Sequence, residues 1–327
     1  MRSFTALAVA VLAVFAVVGW AVAQAPPPAA TPALQQPPAA APPAAAPAAP
    51  PVAAPAAAPV AAPAAPPATA LAQGLPTTQP KFMHIFREQV KVGRSADHSK
   101  WEAGWPAAFA KAKTPVYYIA LVSLTGPSEA WYVMPYASQA AYGEEMARGE
   151  ADPVLTEELD RLSRGDAEFV SDTTAIQAVG RPELSHGEYP DIAMMRFWEI
   201  TTFRVKPGHG EDFAAAVKTW AAAAGRSASS NRWRTYEVVA GAPDGTYLMF
   251  STVASFAEFD KAMTDGEVTW KGLTFEERST LQKAFTEGVV SSTTNRYRLD
   301  PVQSYVPAET RQKDPAFWMP KSPEKKP

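Results

Sequence analysis

The sequence predicts an α+β protein in which a strand–helix–strand–strand–helix–strand unit occurs twice along one chain. The clearest start of a unit is at Phe203, where Phe203 and Val205 alternate with polar Arg204 in the period of a half-buried strand. Pro207-Gly208 ends that strand. Glu211-Asp212 then opens an alanine-rich helix, at the end where carboxylates are stabilised by the helix dipole. The second observation is that residues elsewhere recur at a nearly constant separation.

The chain of 327 residues begins with a segment that is typical of export rather than of a folded domain. Met1-Arg2 precedes an apolar run at 4–22, which ends in the small-residue motif Ala21-Val22-Ala23. This pattern predicts a signal peptide at residues 1–23 and a periplasmic or secreted mature protein beginning near Gln24. The alternative is an uncleaved membrane anchor, because the apolar run approaches the length of a membrane span.

Residues 24–80 form a Pro/Ala-rich segment with no charged residue between Arg2 and Lys81. Such a segment has little to bury, so we expect a disordered linker with extended, polyproline-like character. The Pro/Lys-rich residues 307–327 are predicted to be a mobile C-terminal tail, with docking of Phe317-Trp318-Met319 on the domain as the alternative. The chain contains no cysteine, which excludes disulfides and thiolate metal sites. Its formal net charge of −3 and the lack of a basic patch argue against a nucleic-acid partner.

The first predicted unit covers residues 81–186. Its strands are expected at 82–92, 116–124, 131–134 and 169–179, where β-branched and aromatic residues concentrate. A helix at about 96–112 should be kinked by Pro106. Ser138 and Asp152-Pro153 are the expected starts of two further helices.

The second predicted unit covers residues 187–306 and repeats this order. Strands are expected at 195–205, 233–240, 247–250 and 289–298, with a helix at 211–224. Ser255 with Glu258, and Thr274 with Glu277, have the spacing of capping boxes before two more helices.

Short motifs recur between the two predicted units. Val170-Ser171 and Thr173-Thr174 reappear 120 residues later as Val290-Ser291 and Thr293-Thr294. Val92 precedes Val205 by 113 residues. The small drift in separation is what insertions in loops produce, so we interpret the chain as a tandem duplication.

The strand that ends in Val-Lys-Pro-Gly, followed by an acidic pair and Phe213, resembles the opening of dimeric α+β barrel proteins. The third strand running into Ser255-Phe-Ala-Glu-Phe259 resembles the middle of such domains, with NIPSNAP-like and antibiotic-biosynthesis-monooxygenase-like domains the most similar. The resemblance implies two tandem ferredoxin-like βαββαβ units whose sheets form one intramolecular, pseudo-dimeric barrel. Members of the superfamily include cofactor-free oxygenases, haem-degrading enzymes, chlorite dismutases and muconolactone isomerases, so the fold does not select a reaction.

If Phe203 and Val205 face the helices, the opposite faces of the two first strands should line the barrel. Those faces carry Trp198, Ile200, Thr202 and Arg204 in one unit and Met83, Ile85, Arg87 and Gln89 in the other. Strand register leaves open whether Arg234 or Tyr236, and Arg296 or Arg298, join them. The candidate ligand-binding residues are Arg87, Trp198, Arg204, Tyr236, Arg296 and His84. The alternative is that the arginines form internal ion pairs.

Histidines give no metal-binding spacing such as HxH or HExxH. His84 is the histidine expected on a strand and the candidate ligand if a haem is bound. His98 and His209 are expected in corresponding turns, facing solvent. No cofactor is recognisable from the sequence.

Two functions therefore remain open. One is an exported protein that binds a small aromatic or anionic molecule between the two units. The other is a cofactor-independent or haem-linked oxygenase or isomerase. A third, weaker interpretation is a structural protein of the envelope. A membrane tether is expected only if the signal peptide is retained, and further oligomerisation is left open.

Overall fold

The computed structural model describes residues 74–319, in which eight antiparallel strands close into a barrel. The predicted signal peptide, most of the linker and the last eight residues lie outside this range. The strands are β1 Phe82–Val90, β2 Tyr118–Ser123, β3 Glu129–Tyr136, β4 Val170–Gly180, β5 Phe197–Val205, β6 Trp233–Ala240, β7 Thr246–Val253 and β8 Val289–Tyr305. The closed barrel with helices outside confirms the predicted mixed α+β class.

The barrel is built from two runs of four strands. The order around it is β1-β3-β2-β8-β5-β7-β6-β4. Residues 82–180 thus supply the neighbours β4-β1-β3-β2, and residues 197–305 supply β8-β5-β7-β6 in the same internal order. The two halves meet where β2 pairs with β8 and β4 pairs with β6.

The two halves share an irregularity at the same point. The pairing of β1 with β4 shifts register just before Val90, which faces Val170. The pairing of β5 with β8 shifts just before Val205, which faces Val289. Equivalent residues of β1 and β5 are therefore 115 positions apart in the sequence, and equivalent residues of β4 and β8 are 119 apart. Sequence matching had suggested separations of 113 and 120.

Backbone hydrogen bonds beyond the bulge give the same relationship. The N–H of Lys91 donates to the carbonyl of Phe169, and the N–H of Lys206 donates to the carbonyl of Gly288. The distances are 2.8 and 2.7 Å. Equivalent positions of the two halves can thus be read off by counting from these bonds.

The helices pack on the outside of the barrel. They are α1 Ser95–Glu102, α2 Gly104–Ala112, α3 Gln139–Glu150, α4 Pro153–Asp166, α5 Gly210–Arg226, α6 Phe256–Lys271, α7 Phe275–Lys283, α8 Ala308–Lys313 and α9 Pro315–Trp318. The predicted kink is a break between α1 and α2 at Ala103. It lies there because the ring of Pro106 cannot accommodate a continuing helix at the carbonyl four residues earlier.

The four predicted helix starts are observed, but one of the two predicted capping boxes does not form. Ser138 and Asp152 accept hydrogen bonds from backbone N–H groups of the helices they precede. Thr274 and Glu277 form the complete capping box. Ser255 occupies the N-cap position of α6, but its side chain makes no capping hydrogen bond. The carboxylate of Glu258 instead accepts the N–H of Ala254.

Alternate side chains of every strand point into the barrel and fill it. The interior cluster includes Met83, Ile85, Leu121, Trp131, Ile176, Trp198, Ile200, Phe250 and Tyr297. The predicted inward faces of β1 and β5 are thereby confirmed. Phe203 and Val205 face the helices, as expected, in a separate cluster with Phe213.

The C-terminal segment shows the docking expected for Phe317-Trp318-Met319. Residues 307–319 pack against one end of the barrel, where Trp318 is buried and donates its Nε1–H to the carbonyl of Ala193 at 2.9 Å. Arg196 lies over the ring of Phe317 and pairs with Asp314. The aromatic pair at 317–318 explains the docking, because it offers apolar surface to bury in a segment that is otherwise polar.

Among the helices of residues 74–319, none combines the length and apolarity that a membrane crossing requires.

Candidate functional site

The predicted ligand residues do not surround one space. Trp198 and Tyr236 line a cavity of about 60 Å³ at the end of the barrel where β1 and β5 begin. Arg87 and Arg204 lie near the opposite ends of the same strands. The remaining interior is occupied by side chains, so the structure does not favour the predicted site between the two halves.

The inward-facing arginines are held by the protein itself. Arg87 forms an ion pair with the buried Glu129 at 2.7 Å and lies 4.4 Å from the ring centre of Trp131. Arg204 donates to the carbonyl of Asp244 and to Thr246. The alternative of internally paired arginines therefore describes these residues.

Arg296 and His84 lie on the outer face of the barrel, away from the interior. Arg296 donates to Glu199 at 2.9 Å and covers the ring of Phe259. His84 stacks on Tyr142 of α3. Strand alternation explains both positions. Tyr297 points inward on β8, and Met83 and Ile85 point inward on β1, so their neighbours Arg296 and His84 point outward.

The larger cavities lie between the barrel wall and the helices. In the first half, a cavity of about 350 Å³ separates the outer faces of β1, β2 and β3 from α2, α3 and α4. Seven aromatic side chains contribute to its wall: Phe86, Trp105, Phe109, Tyr118, Tyr132, Tyr136 and Tyr142. Its volume is within the range of roughly 300–1,000 Å³ that is usual for small-molecule sites.

One part of this wall carries carboxylates instead of rings. Glu88 of β1 and Glu102 of α1 line the cavity and belong to a buried cluster with His98 and Asp166. One ligand atom from each of the four residues lies within 4.8 Å of the others. The exposed fractions are 4% for Glu88, 2% for His98, 3% for Glu102 and 5% for Asp166. We call these four residues the polar cluster.

The polar cluster has few internal hydrogen bonds for its charge. His98 Nε2 lies 2.9 Å from Glu88 Oε2 and 3.7 Å from Asp166 Oδ1. Glu102 Oε1 and Asp166 Oδ1 have no hydrogen-bond partner within residues 74–319. In the same range, no lysine or arginine forms an ion pair with any of the three carboxylates. Unpaired buried carboxylates are costly, so the arrangement opposes stability.

Burial and mutual repulsion hold protons on the cluster. Burial raises the pKa of Glu102 to about 9, reinforced by the charges of Glu88 and Asp166 and partly offset by Tyr132 and Trp105. Burial likewise raises the pKa of Asp166 to about 7, with Glu88 adding to the shift and His98 opposing it. Glu102 is thus held in its neutral form near neutral pH, and the pKa of Asp166 lies close to neutrality.

The second half has an apolar cluster at the equivalent positions. Counting from the shared backbone bonds, the residues that match Glu88, His98, Glu102 and Asp166 are Phe203, Phe213, Val217 and Phe285. All four are buried, and the ring centres of Phe203 and Phe213 are 5.4 Å apart. The fold therefore accepts a fully apolar solution at this place, and the first half departs from it at every one of the four positions.

The second half has its own outer cavity, of about 330 Å³. Its wall is charged and contains Glu199, Arg232, Glu258, Lys261 and Arg296. Arg296 pairs with Glu199, and Lys261 pairs with Asp265. Its charged groups are largely neutralised in pairs, in contrast to those of the polar cluster.

The polar cluster was missed by sequence reasoning. His98 was expected to face solvent, but the turn after β1 is short and carries α1 back over the barrel wall, which buries the residue. The available signal was the spacing of His98 and Glu102, four residues apart on one helical face. Glu88 and Asp166 come from a strand and another helix, and only the folded chain brings them to this pair.

No known family model matches the chain, and no curated protein is significantly similar to it. Solved structures do match its fold. One is a protein from Lactobacillus acidophilus NCFM provisionally described as a monooxygenase, with 10% identity, a TM-score of 0.44 and coverage of 68% of this chain and 94% of that chain. Another is a mutant chlorite dismutase from Candidatus Nitrospira defluvii, with 10% identity, a TM-score of 0.42 and coverage of 72% and 95%. An anthrone oxidase-like protein matches with 9% identity and a TM-score of 0.41, over 67% of this chain and 90% of that chain. Likenesses this distant carry nothing about the function of this chain.

Proposed function

We propose that the protein is an enzyme that binds a small aromatic molecule in the outer cavity of the first half and acts on it at the polar cluster. The observation that carries the proposal is the composition of the cavity wall: aromatic and aliphatic side chains enclose most of the space, and the buried carboxyl groups of Glu88 and Glu102 interrupt them. Rings provide a large apolar contact area, while a few convergent polar groups orient a ligand. This corresponds to the oxygenase or isomerase alternative, at a place other than the barrel interior.

The reaction class we propose is removal of a proton from carbon next to an aromatic carbonyl. This step is shared by isomerases, which return the proton elsewhere, and by cofactor-free oxygenases, whose carbanion reacts with O₂. The carbon-bound proton moves to a carboxylate oxygen of the polar cluster, and the electron pair delocalises onto the carbonyl oxygen as an enolate. Glu88 and Glu102 are the cluster carboxylates that reach the cavity wall.

Binding is tested with 1-naphthol as the probe, by saturation-transfer NMR or calorimetry. Gly149 lies on the cavity wall, and a side chain there would enter open space. Gly149→Leu should fill the cavity and abolish binding. Gly143→Leu is the matched control, since Gly143 is on the same helix, has equally free space and does not line the cavity. Leucine also favours the helix over glycine, so neither variant should destabilise α3. Equal binding by both variants would refute this site.

Chemistry is tested separately, by the exchange of α-protons of 2-tetralone in D₂O followed by NMR. The wild type should accelerate exchange, and Glu88→Gln should reduce the acceleration by about 10²–10⁴-fold, the usual contribution of a positioned base. If 1-naphthol binds but exchange is not accelerated, the cavity is a binding site and the proposed proton transfer is refuted.

Export and duplication complete the proposal. The charged start, apolar run and Ala21-Val22-Ala23 support cleavage near Gln24 and a periplasmic or secreted location, with the Pro/Ala segment as a spacer. N-terminal sequencing of the mature protein should return Gln24 or a neighbour; recovery of Met1 from the cytosol would refute this.

The shared bulge and backbone bonds support descent of both halves from one ferredoxin-like, NIPSNAP-like unit.

A further inference from the structure

We propose that the polar cluster is a binding site for one divalent first-row transition-metal ion, such as Mn²⁺, Fe²⁺ or Zn²⁺. Glu88, Glu102 and Asp166 supply oxygen atoms, and His98 supplies a ring nitrogen. The inference concerns ion binding alone and does not rest on the reaction proposed above.

The first argument is geometric. The four candidate ligand atoms lie within 4.8 Å of one another. Ligands at about 2.0–2.2 Å from a central ion are separated by roughly 3–4.4 Å, depending on geometry. The present separations therefore need only small side-chain movements. The 2.9 Å contact of His98 Nε2 with Glu88 Oε2 is already near the separation of adjacent ligands in an octahedral site.

The second argument is that the cluster has unused acceptor atoms. Glu102 and Asp166 are almost fully buried, and neither Glu102 Oε1 nor Asp166 Oδ1 completes a hydrogen bond among residues 74–319. Tyr132 and Trp105 are near enough to Glu102 to lower its pKa, and His98 Nε2 lies 3.7 Å from Asp166 Oδ1. Among residues 74–319 the three carboxyl groups have no lysine or arginine partner, and only His98 lies within ion-pairing distance of them. A divalent cation would satisfy both unpartnered oxygens and offset the repulsion.

The third argument is the comparison between the two halves. The equivalent positions Phe203, Phe213 and Phe285 pack ring against ring, so nothing in the fold requires polar groups here. In the first half, polar residues from β1, α1 and α4 replace apolar ones at all four positions, and their side chains meet in one cluster. A purely structural role would be better served by the apolar set, because buried charges seldom improve stability over well-packed hydrophobic residues.

The donor set indicates the class of ion. Carboxylate oxygens favour hard ions such as Mn²⁺, and an imidazole nitrogen extends the range to Fe²⁺ and Zn²⁺. Without thiolates, the site does not favour soft ions. Glu88 and Glu102 form the boundary with the aromatic cavity, so any coordination position left by the protein would face that cavity.

The test uses the full mature protein, stripped with EDTA and then incubated with Mn²⁺, Co²⁺ or Zn²⁺ in separate samples. After gel filtration, metal analysis should show about one equivalent of retained ion, and Co²⁺ should give visible absorption bands in the protein. Glu102→Gln, which keeps the shape of the side chain, should weaken affinity at least tenfold. The exposed pair His209 and Asp212 provides the control: His209→Asn should retain one equivalent.

The variant that carries the second-half residues, Glu88→Phe with His98→Phe, Glu102→Val and Asp166→Phe, should bind no ion. If this fourfold variant does not fold, the metal affinities of the single variants Glu102→Gln and His98→Gln test the site instead. Retention of no ion by the wild type, or equal retention by wild type and these variants, overturns the proposal. 1-Naphthol binding is measured without metal, so loss of one function leaves the other testable.

Discussion

His98 and Phe213 occupy the same position in the two halves of the barrel. The N–H of His98 donates to the carbonyl of Arg94 at 2.9 Å, and the N–H of Phe213 donates to the carbonyl of His209 at 3.0 Å. Both residues begin the first buried turn of the first helix of their half. Phe213 packs between aromatic rings, whereas His98 lies among three carboxyl groups.

This relationship separates what the fold needs from what the first half adds. Burying an aromatic ring at this point stabilises the packing of helix on sheet, as in the second half. Replacing the ring by an imidazole and surrounding it with carboxylates removes that stabilisation and adds desolvation costs. Such local conflicts with packing are concentrated at functional sites in natural proteins.

Removing one cluster carboxylate should stabilise the metal-free protein. Glu102→Leu replaces a buried carboxyl that has an unpartnered oxygen by an apolar group of similar size, and we expect a gain of about 1–3 kcal/mol in the free energy of unfolding. Urea unfolding in the presence of EDTA measures it. Glu157→Leu, at an exposed position of α4, is the control and should change stability by less than about 0.5 kcal/mol. A clear loss of stability in Glu102→Leu would mean that this carboxyl is a structural element.

The strands and their inward faces could be predicted because period-2 alternation is a local signal. Trp198 and Ile200 were placed in the barrel from the alternation around Phe203 alone, and β6 was predicted at its observed bounds. Pro106 marked the break between α1 and α2 in the same local way. The residues that correspond between the two halves were harder to predict. From the sequence, Val92 was matched with Val205, but the bulges of the two first strands show that Val90 is the residue in the equivalent position.

The candidate site could not be predicted to the same extent because its contacts are long-range. Glu88 and Asp166 are 78 residues apart in the chain, and no spacing rule connects a strand carboxylate with the end of a later helix. The pairing of Arg87 with Glu129 was invisible for the same reason. Sequence patterns therefore indicated the scaffold and its interior, while the outer cavity depends on how the helices pack on it.

Trp198 tests the packing of the barrel interior. The side chain is almost fully buried between the two halves, beside the small cavity at the barrel end. Trp198→Ala should reduce the free energy of unfolding by about 3–5 kcal/mol, the cost of removing a large buried aromatic side chain. Denaturant unfolding measures the change, and Phe275→Ala, at an exposed ring, is the control. A loss of less than about 1 kcal/mol would contradict a filled, closed barrel.

His84 provides a test of pH dependence. Burial lowers the pKa of His84 below its ordinary 6.5, and its Nδ1 has no hydrogen-bond partner in the described residues. The folded protein therefore favours neutral imidazole. Below about pH 6.5 the unfolded chain binds a proton that the folded chain resists, so this residue's contribution to stability falls as pH decreases.

The measurement is an NMR titration of the histidine ring signals, with His84→Phe used to assign the resonance. His84 should titrate below 6.5. The stability difference between wild type and His84→Phe should also shift in favour of the variant between pH 7.5 and pH 5.5. A His84 pKa at or above 6.5 would contradict burial of this ring against Tyr142.

The last prediction concerns the first half on its own. In the barrel, β2 pairs with β8 and β4 pairs with β6, so residues 81–186 alone would have two unpaired strand edges and a bare inner face. That face carries Met83, Ile85, Leu121 and Trp131, an apolar surface too large to remain exposed on a stable monomer. Because the two halves share one strand order, a second copy of the first half can take the place of residues 187–319. Light scattering should therefore show a dimer or larger species whose mass depends on concentration. Adding separately expressed residues 187–319 should displace the copy and give a one-to-one complex. A cooperatively folded monomer that ignores the second half would show that the barrel interface is dispensable.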